Sequence, residues 1–148
     1  MKRWLLVIIL LTVAGLVTAC SGQAVQPKAA QAQPVAPVFL TQSNNEKAVT
    51  VEVTPLNLPG GETSLDFEVV FDTHSVDLGF DPAAISLLRD DAGREYPALA
   101  WEGMGPGGHH RSGLLRFKAP GQATSFIEVV IRDVAGAPER VFRWNLTQ

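Results

Sequence analysis

The chain has 148 residues, of which 46% are hydrophobic and 18% charged, and its formal net charge is −3. The hydrophobic fraction excludes a wholly disordered chain, and the length allows one domain once a signal and a linker are set aside. The charges are scattered and mildly acidic, which excludes the basic surface that binds nucleic acid, so no nucleic-acid partner is expected.

The first twenty residues have the organisation of an export signal. Lys2 and Arg3 form a short positive region, an apolar run follows over residues 4–17, and small residues lead to Cys20. The apolar run is shorter than the roughly twenty residues that a membrane-spanning helix needs. We therefore predict that residues 1–19 are a cleaved signal peptide. Its removal leaves 10 basic and 15 acidic residues, a net charge of −5.

The segment Val17-Thr18-Ala19-Cys20 resembles the lipobox of bacterial lipoproteins. The resemblance implies that the Cys20 thiol takes up diacylglycerol and that cleavage makes Cys20 the first residue. Acyl chains such as palmitate would then hold the protein on the extracytoplasmic face of a membrane. The next residue is Ser21, which resembles the pattern sent to the outer membrane in a Gram-negative cell. An ordinary secretory signal cut after Ala19 and an uncleaved anchor are the alternatives.

Cys20 is the single cysteine of the chain, so it has no disulfide partner, and lipidation accounts for its thiol. Residues 20–45 behind it are rich in Ala, Gln and Pro and nearly uncharged. Such a composition buries too little apolar surface to fold, which predicts a flexible linker. The apolar triplet Val38-Phe39-Leu40 is an exception, and it is either a first strand or a plug against the following domain.

Short alternating runs of apolar and polar residues, separated by Gly, Pro and Asp, fill residues 46–148. Val49, Val51 and Val53 show the period of two that is typical of a half-buried strand. Seven strands are predicted, at residues 48–54, 64–72, 85–89, 95–101, 114–118, 126–133 and 140–146. A hairpin loop is predicted at residues 90–94. The pattern predicts an all-β domain, an immunoglobulin-like antiparallel β-sandwich of about seven strands, with a small barrel as the competing topology.

Two tracts, residues 73–78 (Thr-His-Ser-Val-Asp-Leu) and 107–113 (Gly-Gly-His-His-Arg-Ser-Gly), resemble segments of uncharacterised immunoglobulin-like domains in bacterial envelope proteins. The resemblance spans roughly residues 66–144. It implies the fold and the location, and it carries no activity.

A histidine-containing loop is the candidate site for chemistry. His74 follows a predicted strand, while His109 and His110 follow a loop that holds Met104 and four glycines in six residues. Glycine lets that backbone adopt positive φ and approach another group closely. Imidazole with thioether suits copper, and imidazole alone suits zinc, so these four residues are candidate metal ligands. Adjacent strand residues point to opposite faces, so His109 and His110 share an ion only in irregular backbone.

The alternative for this loop is structural: one histidine bonds a backbone carbonyl and the other is solvated. No catalytic signature is present, so no enzymatic activity and no cofactor are expected. Turn chemistry explains the adjacent Asp90 and Asp91, and core packing explains Trp101 and Trp144. The leading hypothesis is a membrane-anchored, non-enzymatic interaction or structural domain with an envelope protein as its partner. The alternative is an envelope protein that binds copper or zinc through the His/Met loop.

Overall fold

The computed structural model describes residues 39–58 and 63–146, which form an all-β domain. Its strands are β1 Gln42–Glu46, β2 Val49–Pro55, β3 Ser64–Thr73, β4 Ser86–Asp90, β5 Glu95–Gly103, β6 His110–Lys118, β7 Phe126–Val134 and β8 Ala137–Asn145. The predicted signal peptide, Cys20 and the linker up to residue 38 lie outside the described residues. Among the residues that are described, no helix is long and apolar enough to cross a membrane.

All eight strands belong to one antiparallel sheet, in the order β1-β2-β3-β6-β5-β4-β7-β8. The all-β prediction is therefore confirmed. The immunoglobulin-like sandwich of about seven strands is not confirmed, because the eight strands curve into a single, nearly closed, barrel-like sheet. This architecture agrees with the competing topology, the small barrel.

Strand β5 pairs with strands of both halves of the barrel, which would be two separate sheets in a sandwich. Its residues 95–97 pair with β4, and its later residues pair with β6. The register shifts between Ala98 and Ala100, where Leu99 is left exposed. An extra residue of this kind bends a strand and increases its twist, so β5 passes from one half of the sheet to the other. One strand thus serves both halves, and two sheets become one.

The first and last strands close the barrel through side chains. The Gln42 amide donates to the backbone carbonyl of Arg143 and accepts from the backbone N–H of the same residue. Nearby, the Trp144 indole Nε1 donates to the carbonyl oxygen of Leu40 at 2.9 Å. In the described part of the chain, β1 and β8 do not pair through a backbone ladder. Side-chain hydrogen bonds therefore complete the ring.

Arg140, on β8, fixes the turn between β1 and β2. Its side chain is buried, with 1% exposure, and its guanidinium donates to the carbonyl oxygens of Glu46 at 2.6 Å and Val49 at 2.9 Å. Between these two carbonyls, Lys47 and Ala48 have φ values of 50° and 63°, which non-glycine residues rarely adopt. Such backbone persists when its surroundings hold it, and Arg140 bonds both sides of this turn.

The folded domain begins earlier in the chain than the predicted linker boundary at residue 45. Its residues 42–45 belong to β1, and Thr41 Oγ1 lies 2.7 Å from Thr54 Oγ1 on β2. Phe39 packs against the core, which agrees with a plug rather than a strand. Sequence reasoning missed β1 because Gln-Ser-Asn-Asn-Glu contains no apolar residue to alternate. Pairing with β2 and side-chain bonds to β8 hold this strand instead.

Alternation in the sequence places one face of each central strand in the core. Val49, Val51 and Val53 are fully buried, as the period of two predicted. The aromatic centre is built on Phe67, whose ring centroid lies 5.7 Å from that of Phe117 and 5.5 Å from that of Trp144. The prediction that Trp144 is a core residue is confirmed.

Asp90, at the end of β4, organises the turn into β5. Its carboxylate accepts from the backbone N–H groups of Ala92 and Arg94, from Arg94 Nε at 2.6 Å and from the Tyr96 hydroxyl at 3.0 Å. Burial raises the pKa of Asp90, but the hydrogen bonds from Arg94 and Tyr96 outweigh it and leave the pKa below its ordinary value. The predicted turn role of Asp90 is confirmed.

Asp91 links the same turn to the segment before β7. One carboxylate oxygen accepts from the backbone N–H and from the hydroxyl of Ser125, both at 2.7 Å. These two bonds lower the pKa of Asp91 to about 2. The adjacent carboxylates are thus used in turn structure, as predicted.

Candidate functional site

The barrel has two ends with different chemistry. The chain enters at Phe39, beside the final residues of β8, and this end, which we name the base, also holds the β4–β5 turn. The opposite end, which we name the loop end, carries the long segments 74–85 and 104–109. All four residues predicted from the sequence as metal ligands lie at the loop end: His74, Met104, His109 and His110.

The two segments of the loop end pair with each other. The Leu78 N–H donates to the Gly108 carbonyl at 3.0 Å, the Gly107 N–H donates to the Leu78 carbonyl at 3.0 Å, and the Gly108 N–H donates to Asp77 Oδ1 at 3.0 Å. Gly107 and Gly108 have φ values of 101° and 80°, so the predicted positive φ of this loop is confirmed. The group that the loop approaches closely is the chain's own segment at Asp77 and Leu78.

Arg111, on β6, fastens both segments from within. Its side chain is 1% exposed. Nη1 donates to the carbonyl oxygens of Leu78 at 2.8 Å and Phe80 at 2.5 Å, and Nη2 donates to that of Met104 at 3.1 Å. The guanidinium carbon also lies 5.5 Å from the centroid of the Phe80 ring and 5.7 Å from that of Trp101, within the range of cation–π attraction. Arg111 therefore makes the loop end a fixed surface.

Burial lowers the pKa of Arg111, while the charge of Asp81 acts in the opposite direction. Sequence reasoning missed Arg111 because it began the strand at residue 114, although the strand begins at His110. Continued backwards, the alternation of Leu115 and Phe117 places Arg111 on the inner face. That extension is hard to make from sequence, because a charged residue normally marks the outer face of a strand.

An aromatic depression of about 240 Å³ opens beside Arg111. Phe80, Trp101 and Met104 line it, and the Trp101 Nε1 donates to the Met104 carbonyl at 3.0 Å. Met104 is 47% exposed, and Trp101 is half-buried against the core. The prediction that Trp101 is a core residue therefore holds for one part of its ring, while another part forms a wall of the aromatic depression.

Close contact between Gly103 and Gly113 makes room for the Trp101 ring. A Cβ on Gly103 would lie 2.5 Å from the Gly113 Cα and 2.9 Å from the Trp101 ring, so neither β5 nor β6 tolerates a side chain at this crossing. These two glycines thus shape the aromatic depression by letting two backbones approach.

The four residues predicted as metal ligands are divided among different surroundings. His110 Nδ1 lies 3.2 Å from Asp72 Oδ2, and both side chains are more than half exposed. His74 lines a depression of about 270 Å³ that Asp72 also borders, whereas Met104 lines the aromatic depression. His109 is exposed in the bend before β6. Across residues 39–58 and 63–146, no group of three or more His, Cys, Asp or Glu side chains is arranged to hold a metal ion.

The outer face of β4, β7 and β8 carries charges that neutralise one another. Arg89 Nη2 lies 3.4 Å from Glu95 Oε1, and Arg89 Nη1 lies 3.5 Å from Glu128 Oε2. Arg143 forms a second ion pair with Glu128. Because positive and negative side chains alternate across the strands, this face has no net charge to attract a ligand. Glu128 at the centre of this network is only 6% exposed and is paired with arginines on both sides, while its partners Arg89 and Arg143 are more exposed.

Comparisons with protein-family models, with curated protein sequences and with solved structures find no match to this chain. The loop end is a fixed, partly apolar surface with exposed histidines, at the end of the barrel opposite the base.

Proposed function

We propose that this protein is a lipoprotein whose Cys20 carries diacylglycerol, and that its barrel is a non-enzymatic interaction domain on the extracytoplasmic face of a membrane. The observation that carries the proposal is that the N-terminal residues of the domain and the exposed candidate site lie at opposite ends of the barrel. The chain that follows Cys20 reaches the barrel at the base, while the exposed Met104 and the histidines lie at the loop end. A lipid anchor at Cys20 would thus leave the loop end free to meet a partner.

The loop end has the properties of a protein-binding surface. Aromatic residues and methionine are enriched at protein interfaces, and Trp101, Phe80 and Met104 meet in one depression there. Arg111 bonds three carbonyl groups of the two segments, so little conformational entropy remains to be lost on binding. We propose an envelope protein as the partner.

The anchor is tested by replacing Cys20 with Ser in cells fed labelled palmitate. The wild-type protein is expected to take up label and to sediment with membranes, because acylation needs the thiol. Cys20→Ser is expected to lose both properties, while the neighbouring Ser21→Ala variant keeps the label as a matched control. Label on the Cys20→Ser variant would contradict the proposal.

The interaction surface is tested with a photo-crosslinking residue placed in the anchored protein. At Met104 it is expected to give one discrete adduct with an envelope protein. At Val141, which is comparably exposed on the outer face of β8, it is expected to give none. Equal adducts at the two positions would show that the loop end is not the binding surface.

Metal binding is the second candidate function, and the contact between His110 and Asp72 favours it. Asp72 contacts His110 and also borders the depression that His74 lines, and we propose these three side chains as the ligands of a single ion. Carboxylate with two imidazoles suits zinc or copper. This set contains Asp72 in addition to His74 and His110, and it does not use Met104 and His109, the other two candidate ligands predicted from the sequence.

Calorimetric titration with Cu(I), Cu(II) and Zn(II) separates this candidate from the first. If metal binding is the function, Asp72→Asn and His110→Ala weaken affinity at least about tenfold, which corresponds to roughly 1.4 kcal/mol. His109→Ala serves as the matched control and should leave it unchanged. Absence of binding by the wild-type protein would remove this candidate without affecting the lipid anchor.

A further inference from the structure

The base of the barrel exposes two large apolar side chains. Leu40 is 75% exposed and Leu56 is 56% exposed, the first and third most exposed among the large apolar side chains that the structure describes. β1 and β2 pair up to Gln42 and Val53, and just beyond this pair Thr41 and Thr54 join their hydroxyls at 2.7 Å. Leu40 directly precedes Thr41, and Leu56 lies two residues after Thr54, so the two leucines lie at the same end of the barrel.

The backbone at both leucines is held in place. The Leu40 carbonyl accepts from the Trp144 indole, and Phe39 packs against the core just before it. The Leu56 N–H donates to the Asp66 carbonyl at 2.9 Å. These hydrogen bonds fix the backbone at both leucines, whose side chains are exposed. A fixed pair of exposed leucines is a candidate contact surface.

We propose that Leu40 and Leu56 contact the lipid surface, so that the barrel stands on the membrane by its base. The inference rests on the proposed acylation of Cys20. Only residues 21–38 separate Cys20 from Phe39. The flexible linker predicted for these residues would span on the order of 25 Å and would keep the base close to the bilayer. At such local concentration a weak apolar contact is populated, although two leucines alone would not recruit a protein from solution.

The contact is apolar rather than electrostatic. The predicted mature chain has a net charge of −5, so anionic head groups repel it as a whole. Among the described residues at the base, the positive charges of Arg94 and Lys118 are balanced by the negative charges of Asp90 and Asp91. An apolar contact predicts that added salt does not weaken the association of the base with the bilayer, because salt screens the repulsion between the charges and leaves the apolar contact in place.

The test uses the acylated full-length protein in vesicles of phosphatidylethanolamine and phosphatidylglycerol. Acylation consumes the single cysteine, so one introduced cysteine becomes the only free thiol for an environment-sensitive dye. Dyes at Leu40→Cys and Leu56→Cys are expected to shift to shorter emission wavelength and to be quenched by spin-labelled lipid, at low and high salt alike. Dyes at Val141→Cys and His109→Cys, on the side and at the loop end, are expected to do neither. Leu56→Glu should reduce the shift at position 40.

Each other outcome has a distinct meaning. If the wild-type protein itself reacts with the dye, Cys20 is not acylated, and the proposed function fails together with the inference. If Cys20 is blocked but positions 40 and 56 match position 109, the inference alone is overturned. A shift that appears only when another membrane protein is added would assign the leucines to a protein partner, which also overturns it.

Discussion

Arg111 Nη1 and the Leu78 carbonyl oxygen lie 2.8 Å apart, although the two residues are 33 positions apart in the chain. This bond, together with those to Phe80 and Met104, ties two loops of the barrel to one buried guanidinium. The guanidinium group is surrounded by aromatic rings and carbonyl groups, and it donates hydrogen bonds to three of these carbonyls. Arg111 thus adds side-chain hydrogen bonds to the backbone bonds that join the two segments of the loop end.

Replacing Arg111 with Met is expected to destabilise the protein by about 2–4 kcal/mol, because buried carbonyl groups lose their donor. Arg132→Met is the control, since Arg132 forms exposed ion pairs and its loss should cost less than about 1 kcal/mol. Urea unfolding measures both changes. Equal midpoints for the two variants would show that Arg111 does not stabilise the loop end.

Replacing Arg140 with Met is expected to loosen the β1–β2 turn more than the rest of the barrel. The turn then lacks the donor that holds the positive φ of Lys47 and Ala48. Hydrogen exchange at residues 42–53 should accelerate by at least about tenfold, while β3 and β6 change little. Uniform acceleration in all strands would instead indicate a global effect.

Replacing Gly103 with Ala is expected to cost about 1–3 kcal/mol and to alter Trp101 fluorescence. The added Cβ would overlap the Gly113 backbone and press on the indole ring. Gly105→Ala is the matched control, because nothing lies within 4 Å of a Cβ at that position. Thermal unfolding and emission spectra report the result. A silent Gly103→Ala variant would mean that the two strands are further apart at this crossing.

Acid is expected to lower the free energy of unfolding by protonating Asp91. Its pKa is held at about 2 in the folded protein, below the ordinary value of 3.8, by hydrogen bonds from the backbone N–H and the hydroxyl of Ser125. A lowered folded pKa stabilises the folded form above pH 3.8, and this contribution disappears as the pH falls from about 4 to about 2. Asp91→Asn should flatten the stability profile in that window, as measured by urea unfolding at several pH values. Asp133→Asn, at an exposed position near the end of β7, is the matched control and should keep the wild-type profile.

Local patterns predicted the strands that bury a side-chain face. Val49, Val51 and Val53 alternate inward as expected, and Asp90 and Asp91 form the expected turn. The arrangement of the strands could not be predicted in this way. It depends on the bulge at Leu99 and on which strand pairs with each half of β5, and both are set by distant parts of the chain.

The candidate site was predicted in its location and only partly in its residues. The glycines at 107 and 108 signalled an unusual loop, and its positive φ is confirmed. Arg111, which fixes that loop, was missed because its partners are backbone carbonyls, which leave no mark in a sequence. Asp72, the neighbour of His110, was missed because its position follows from the register of β3 and β6.

The seam between β1 and β8 joins residues 101 positions apart, as between Gln42 and Arg143. Synthesis from the N-terminus delivers β1 first and β8 last, so the first strand waits without its second neighbour until the chain is nearly finished. Contacts at such separation are slow to form because loop closure is entropically costly. An apolar strand with an unpaired edge promotes aggregation, since it can pair with a strand of another molecule. The polar Gln-Ser-Asn-Asn-Glu of β1 offers no apolar side chain during that interval.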